Sequence, residues 1–467
     1  MRVLITPHVF SGDPKSADQT VRIPASKSHT IRRLLMASLT GGLSRIEHPL
    51  NSLDTQSCAA ACRILAESRR SEAAAAAEAA VEAGAAGKKV SAAPRLIDVG
   101  NSGTTLFLAI AAAALGSSPL TFTGDEQIAR RCAGPLLAAL AGLGVSVYSG
   151  SGPGGDTGYI PITVCGPWKG GRISLSCPTS QYLSALLLAA PLAPAGTVTQ
   201  IDVPLLNEKP YVEMTLSYLA AQGLYKADCS GHISAAADFS FFRIEGGAAY
   251  TPIHGPVPGD FSSAAFPAAA AIISGGAVTL RGLDPADTQG DKVFFEHLVT
   301  MGAGVQWKGG DVTVSRPGKL RGGTFDLNDT PDMLPIMAVL AAYAEGETSL
   351  VNAAHARIKE TDRIAVMAAE LQKLFPPSRS GSVICEERSD GLVIHGRGMA
   401  ETRVPTLVET GGPLILNGHG DHRVVMALAC AALGLPAGAG PVEISGAEAA
   451  DVTYPGFLEL LGGRSYT

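Results

Sequence analysis

Pro178-Thr179-Ser180-Gln181 leads directly into Tyr182-Leu183-Ser184-Ala185-Leu186-Leu187-Leu188-Ala189-Ala190-Pro191-Leu192, and then come Thr197 to Val203 and Lys209-Pro210-Tyr211. A polar opening, an apolar helix, a strand and a second helix follow one another in this passage. Openings of this kind cap helices and leave backbone N–H groups turned toward an anion. The apolar run is too short to span a bilayer, so it reads as a buried helix. Thr197 to Val203 is β-rich and bounded by Gly196 and Pro204, and a more polar helix is expected after Lys209.

The same composite recurs along the chain with a period of roughly 70 to 90 residues, beyond the common solenoid repeats. Its openings are Ser26-Lys27-Ser28, Asn101-Ser102-Gly103-Thr104, Pro178-Thr179-Ser180-Gln181, Gly259-Asp260-Phe261-Ser262-Ser263, Thr330-Pro331-Asp332 and Gly420-Asp421-His422-Arg423. Second helices are expected after Asp54, Asp125, Lys209, Asp287, Lys359 and Asp451, with further strands at Ala277 to Leu280, Thr348 to Val351 and Val442 to Ile444. The pattern predicts an α/β protein of six βαβ-type units in two groups of three. The stretch from Ala66 to Arg95 breaks the rhythm: it is Ala-rich and poor in large apolar side chains, which predicts an exposed, partly helical insertion without a functional role.

Composition sets the outer limits. A chain of 467 residues exceeds what one core usually holds, so two domains are expected. With 46% hydrophobic and 17% charged residues there is apolar surface to fill two cores and too little charge for disorder. The net charge of -6 excludes a nucleic-acid binder that relies on a broad basic field. The eight cysteines lie scattered with no C-x-x-C pair, which fits reduced thiols and no metal site. Met1 to Pro7 carries no basic n-region followed by a long apolar core, so a cytoplasmic location is expected.

Three segments concentrate charge at helix starts. In Pro24-Ala25-Ser26-Lys27-Ser28-His29-Thr30-Ile31-Arg32, Lys27, Ser28 and Arg32 bring two cations, a hydroxyl and the helix dipole to one place. A solvated basic helix start is the bland alternative, and the repeat context argues against it. In Ile358-Lys359-Glu360-Thr361-Asp362-Arg363, Lys359 and Arg363 are spaced for one helical face, with Glu360 beside them to move a proton. Ordinary surface ion pairs would leave the same pattern. Gly420-Asp421-His422-Arg423 sets charge directly before the apolar run Val424 to Leu435, where a ligand or partner charge is needed. His422 alone reads as a structural hydrogen-bonder, and Arg423 as the stronger candidate.

Taken together, Pro-Ala-Ser-Lys-Ser with Arg32, Gly100-Asn101-Ser102-Gly103-Thr104, Gly124-Asp125-Glu126 with Arg131, Thr179-Ser180-Gln181, Lys209-Pro210-Tyr211, Gly259-Asp260 with Ser262-Ser263, Pro331-Asp332, Arg357 to Arg363 and Asp421-His422-Arg423 resemble the 5-enolpyruvylshikimate-3-phosphate synthase family, in family order from about Ile23 to Phe457. The resemblance implies the two-lobed enolpyruvyl transferase fold, an inverse α/β barrel of six βαβαββ units, with residues 1–22 plus 258–467 as one lobe and 23–257 as the other. It implies transfer of the carboxyvinyl group of phosphoenolpyruvate to the 5-hydroxyl of shikimate 3-phosphate, on the route to chorismate and the aromatic amino acids. Lys27, Ser28, Arg32, Thr179, Ser180, Gln181, Asp332, His355 and Lys359 would surround shikimate 3-phosphate. Lys27, Gly103, Arg131, Gln181, Arg363 and Arg423 would hold phosphoenolpyruvate. Asp332, Glu360 and Lys27 would be catalytic, with no cofactor or metal, and the chain would act as a monomer on small molecules, without nucleic acid or membrane.

The chemistry needs those residue types. Adding a hydroxyl to C2 of phosphoenolpyruvate requires a base for the hydroxyl proton and an acid for the C3 methylene, and the resulting ketal then expels phosphate. Both substrates carry a phosphate and a carboxylate, so several cations are required, and water must be excluded, which predicts open and closed forms. Four positions depart from the family pattern. Phe107 stands where an arginine is usual, Glu208 replaces a serine and sets a negative charge near the shikimate phosphate, His355 replaces an asparagine, and Val452 replaces a common lysine. Departures at substrate positions keep a paralogue with another cyclitol-like acceptor open, beside a catalytically silent anion-binding homologue. A nucleotide-sugar transferase is disfavoured, because Glu126 occupies the place of its reactive cysteine. An RNA-processing relative is disfavoured by the acidic balance and by the lack of an aromatic-rich basic stripe.

Overall fold

A helix starts at or shortly after every polar opening in the computed structural model, which describes residues 1–13, 20–81, 94–152, 154–226, 228, 230–376, 384–398, 412–436 and 438–466. In chain order the helices are α1 (Lys27–Ser38), α2 (Leu53–Val81), α3 (Gly103–Ala113), α4 (Gly134–Gly142), α5 (Gln181–Ala189), α6 (Lys209–Ala221), α7 (Phe261–Ser274), α8 (Phe294–Thr300), α9 (Leu334–Tyr343), α10 (Arg363–Leu374), α11 (His422–Leu433) and α12 (Phe457–Leu460). Side-chain caps start several of them. Ser102 accepts from the N–H of Thr105, Asp260 from Ser263, Asp362 from Ala365 and Asp421 from Arg423.

The chain divides into two compact units, Met1–Ser26 with Pro258–Thr467, and Lys27–Val257. Residues 23–26 stay with the first unit because the N–H of Ile23 bonds the carbonyl of Arg281 at 3.0 Å and that of Ser26 bonds Pro258 at 2.8 Å. The first crossing therefore falls a few residues beyond the position expected from the sequence.

In the first unit, every residue of α9 and α11 and all of α7 but its last serine are buried. These helices are apolar on all sides, which is stable only where neighbours cover the whole circumference. They pack on one another, and Gly434 lets α11 end against Ile273 and Tyr343, whose hydroxyl donates to the carbonyl of Ala431 at 2.5 Å. Three sheets carry the strands. Thr20–Arg22 runs parallel to Ala277–Arg281, which pairs antiparallel with Asp311–Ser315, itself paired with Gly304–Lys308. Thr324–Asp326, Glu345–Val351, Gly391–Arg397 and Cys385–Arg388 repeat that order, as do Leu414–Asn417, Val442–Ser445, Arg2–Ile5 and Arg464–Tyr466. Alternate residues such as Val278 and Leu280, or Val312 and Val314, are buried, so each strand presents one face to the helices.

The second unit has its own core, built from α1, α3 and α5 with Phe107, Trp168 and Phe242. Two of its sheets show the same order: Arg95–Asp98, Leu120–Thr123, Thr157–Cys165, Ser146–Ser151, and Gly171–Ser174, Val198–Asp202, Phe241–Glu245, Ile233–Ala235. The third differs from the expected uniform unit. Only His254–Pro256 and Arg45–Glu47 pair, in parallel, among the described residues. Where the other units turn into a hairpin, α2 continues into the Ala-rich stretch as far as Val81. That stretch is anchored at its start, where Ser68 is buried and Glu72 Oε1 accepts the N–H of Ser118 at 2.7 Å, while Ala73 to Ala75 are exposed. Residues 82–93 of the expected insertion lie outside the described residues.

The seven described cysteines form no disulfide, and Cys229 lies outside the described residues. Among the described residues no helix is long and apolar enough to cross a membrane.

Candidate active site

In the first unit the charged openings converge on one buried arginine. Asp362 caps α10, which makes Arg363 its first residue. Arg363 Nε donates to Asp421 Oδ2 at 2.7 Å, Nη1 to Asp332 Oδ1 at 2.7 Å, and Nη2 to Glu360 Oε2 at 2.6 Å. Asp332 also meets Arg423 Nη2 at 2.9 Å and Lys359 Nζ at 3.9 Å. The expectation that Lys359 and Arg363 share a helical face is not met, because Lys359 ends a 3-10 turn over Ala354–Ile358 and the helix begins only at Arg363. They nonetheless approach the same carboxylate. His355 is buried in that turn. Arg357 points elsewhere, to Asp362, Glu387 and the carbonyls of Arg388 and Ser389.

Exposure sorts this cluster by role. The side chains of Arg363 and Asp421 are 1% and 0% exposed, whereas Asp332, Glu360 and Lys359 keep 18%, 13% and 12%. The first pair is a fixed core, and the others retain an open side. Burial pushes the carboxyl of Asp332 upward, but Arg423, Lys359 and Arg363 outweigh it and hold the group well below the usual carboxylate range. Arg363 is held cationic: burial opposes its charge, and Asp421, Glu360 and Asp332 more than restore it. Asp291 lies close enough to feel both Asp332 and Arg423, and accepts from the hydroxyl of Ser262. Burial first, and then the charge of Asp332, push its carboxyl up to about 6.

The second unit gathers the other candidates. Lys27 Nζ lies 3.1 Å from Asp54 Oδ2, in the first turn of α2. Ser28 is half-buried, and its carbonyl accepts from Arg32 Nη1 at 3.2 Å. The remaining bonds of Arg32, itself fully buried, go to Thr215 Oγ1, Ser184 Oγ and the carbonyl of Tyr211. All four acceptors are neutral. Burial pushes Arg32 down to about 10, with Tyr218, Tyr211 and Glu208 acting in the opposite sense.

Gly103 and Arg131 meet: the guanidinium of Arg131 lies where a β-carbon on residue 103 would project, so a side chain there would require the guanidinium to move. Gln181 starts α5, and its Oε1 is buried with no hydrogen-bond partner among the described residues. Thr179 and Ser180 stand together at the same helix start, but the anion found there is the chain's own. Glu208 Oε2 accepts from Thr179 Oγ1 at 3.0 Å and from both the N–H and Oγ of Ser180 at 3.1 Å.

The other departures have plain settings. Phe107 is buried edge-on against Tyr182, with ring centroids 5.1 Å apart, so this position serves packing. Val452 ends a half-exposed 3-10 turn over Ala447–Val452. Sequence reasoning missed three carboxylates. Asp421 was legible as a cap but not as the anchor of Arg363, Asp54 only as the start of a helix, and Asp291 not at all, since it lies in a 3-10 turn over Gly290–Val293 with no motif around it.

Comparison with known proteins bears on this arrangement. The profile of the EPSP synthase (3-phosphoshikimate 1-carboxyvinyltransferase) family matches residues 13–461. A 3-phosphoshikimate 1-carboxyvinyltransferase of Acetivibrio thermocellus is 43% identical over 445 residues, covering 95% of each chain. One of Methanocella arvoryzae is 41% identical over 450 residues, again covering 95% of each. In three dimensions the chain resembles an EPSP synthase of Acinetobacter baumannii with a TM-score of 0.69 at 24% identity, over 99% of this chain and 97% of that one. With a family profile spanning nearly all of it and relatives this similar at full length, the chain belongs to the EPSP synthase (3-phosphoshikimate 1-carboxyvinyltransferase) family.

Proposed function

We infer that the chain transfers the carboxyvinyl group of phosphoenolpyruvate to the 5-hydroxyl of shikimate 3-phosphate and releases phosphate. It is a transferase of the shikimate pathway, leading toward chorismate and the aromatic amino acids. The observation that carries the mechanism is Arg363 locked between Asp421, Glu360 and Asp332, with Asp332 also facing Arg423 and Lys359. A purely structural ion network would have no reason to leave Asp332 and Glu360 partly open while sealing Arg363 and Asp421.

In this reading Lys27, Gly103, Arg131, Gln181, Arg363 and Arg423 take phosphoenolpyruvate. Lys27, Ser28, Arg32, Thr179, Ser180, Gln181, Asp332, His355 and Lys359 take shikimate 3-phosphate. Asp332, Glu360 and Lys27 move protons. One group removes the hydroxyl proton as oxygen bonds to C2, and another protonates C3, giving a tetrahedral ketal. A C3 proton then leaves as the C2–O bond to phosphate breaks, and the vinyl ether remains. Asp332 enters this cycle ionised, because three cations outweigh its burial. The same cations suppress its basicity, so anionic substrates that engage Arg423, Arg363 and Lys359 would return basicity to Asp332 as they bind. The chain is read as a cytoplasmic monomer acting on small molecules alone.

Phosphate release that requires both phosphoenolpyruvate and shikimate 3-phosphate is the test. Asp332→Asn should lower kcat by about 10²- to 10⁴-fold, the usual contribution of a positioned proton-transfer group. Release that ignores the acceptor, or full activity in that variant, would refute the assignment.

A further inference from the structure

We propose that Glu208 is a resident carboxylate in the cradle for the acceptor's phosphate, and that it governs how tightly this chain holds a phosphorylated acceptor. The inference rests on the reading of Thr179 and Ser180 as acceptor ligands. Three donors, two hydroxyls and one backbone N–H at the start of α5, converge on a single oxygen of Glu208 within 3.0 to 3.1 Å. Three hydrogen bonds on one oxygen describe an anion site that is already filled. The backbone sets this up. Glu208 has φ 57° and ψ 42°, a left-handed conformation uncommon for a residue with a long side chain, just before α6 with Pro210 in its first turn. The residue is 2% exposed, so the carboxylate is not a surface group resting there by chance.

Charge accounts for its presence. Arg32 is buried, and all its hydrogen bonds go to neutral oxygens, while Glu208 is the carboxylate whose field it feels. A buried guanidinium needs an anion nearby, and Glu208 supplies one when no substrate does. A phosphate entering this cradle must displace the carboxylate or share its donors with a like charge, and either weakens binding. The expected result is a raised KM for the phosphorylated acceptor, relative to the same chain with a neutral side chain at 208.

The experiment compares the full-length protein with Glu208→Asn and Glu208→Gln. Asparagine tolerates a left-handed backbone and opens the cradle, while glutamine keeps the shape and removes only the charge. Titration calorimetry with shikimate 3-phosphate alone, and steady-state kinetics with both substrates, should show Kd and KM for shikimate 3-phosphate falling by at least about tenfold in both variants. The effect should appear in KM for the acceptor rather than in kcat, and KM for phosphoenolpyruvate should stay put. Unchanged or weaker acceptor binding in the variants overturns the inference. Should Glu208→Asn fail to fold, the glutamine variant decides. Failure of the function itself looks different, because no protein would then release phosphate in response to the acceptor, whatever stands at 208.

Discussion

At the scale of single residues, this chain solves the crowding of like charges by pairing each with a designated opposite. Arg363 is cationic among three carboxylates, and Asp332 is anionic among three cations. Asp291 is the exception, since burial and the charge of Asp332 dominate there and raise its carboxyl to about 6. The sign of the consequence follows from linkage. Between the ordinary value of 3.8 and about 6 the folded protein holds a proton on Asp291 that the unfolded chain has lost, so this group's contribution to stability falls as pH rises through that window and stays low above it. Asp291→Asn, which keeps an acceptor for Ser262, should therefore raise the urea midpoint at about pH 8 and leave it nearly unchanged at about pH 4. An equal shift at both pH values would show that the aspartate is not the titrating group. None of this was legible in the sequence, because burial, not a motif, gives Asp291 its character. Glu208 was legible only halfway: its charge stood out at once, but that its carboxylate folds back onto Thr179 and Ser180 depends on a left-handed backbone that no neighbouring residue announces.

At the scale of elements, polar openings and apolar runs read well because capping and burial are local and strong. Asp260 and Asp421 cap the helices that the sequence assigns to them, and α9 and α11 are buried along their whole length, as an apolar helix must be. What periodicity does not carry is where one turn type yields to another. Lys359 and Arg363 are spaced for one helix, yet the cap at Asp362 starts the helix after Lys359 and leaves the lysine just past the end of a 3-10 turn. That Arg45–Glu47 pairs only with His254–Pro256 among the described residues was equally hidden, because α2 runs on through alanines that favour helix wherever they stand. The start of α3 offers a sharper test of element geometry. Gly103 leaves room for Arg131 directly over the backbone, and a single methyl group at that position would occupy the space of the guanidinium. Gly103→Ala should displace Arg131 and raise KM for phosphoenolpyruvate by about ten- to a hundredfold, in line with the loss of one charge-assisted contact. The helix itself should survive, since alanine favours it. Intact far-UV circular dichroism with unchanged kinetics would separate Arg131 from the substrate.

At the scale of the whole molecule, the long-range fact is how one chain serves two cores. The first unit is interrupted after Ser26 and resumes at Pro258, and these two positions are hydrogen-bonded at 2.8 Å, with Asp260 bonded to Pro24 at 2.9 Å and a bridge between Ala25 and Gly259. Exit and return thus lie side by side within the first unit, as they must if a self-contained segment is spliced into it. The second unit is continuous in sequence and closes on itself, because His254–Pro256 near its end pairs with Arg45–Glu47 near its start. Its core draws on its own residues, among them Phe107, Trp168 and Phe242. A length of chain with its own core and adjacent ends meets the requirements for autonomous folding. Lys27–Val257 produced alone should therefore unfold in urea as a single cooperative transition with an m-value suited to its size. The bond between Lys27 and Asp54, and the seat of Glu208 on Thr179 and Ser180, lie wholly inside this segment and should persist in it. A segment that stays soluble but shows no cooperative transition would mean that the second core depends on residues outside 27–257, and that the repeated unit, not the two-unit division, governs how this chain folds.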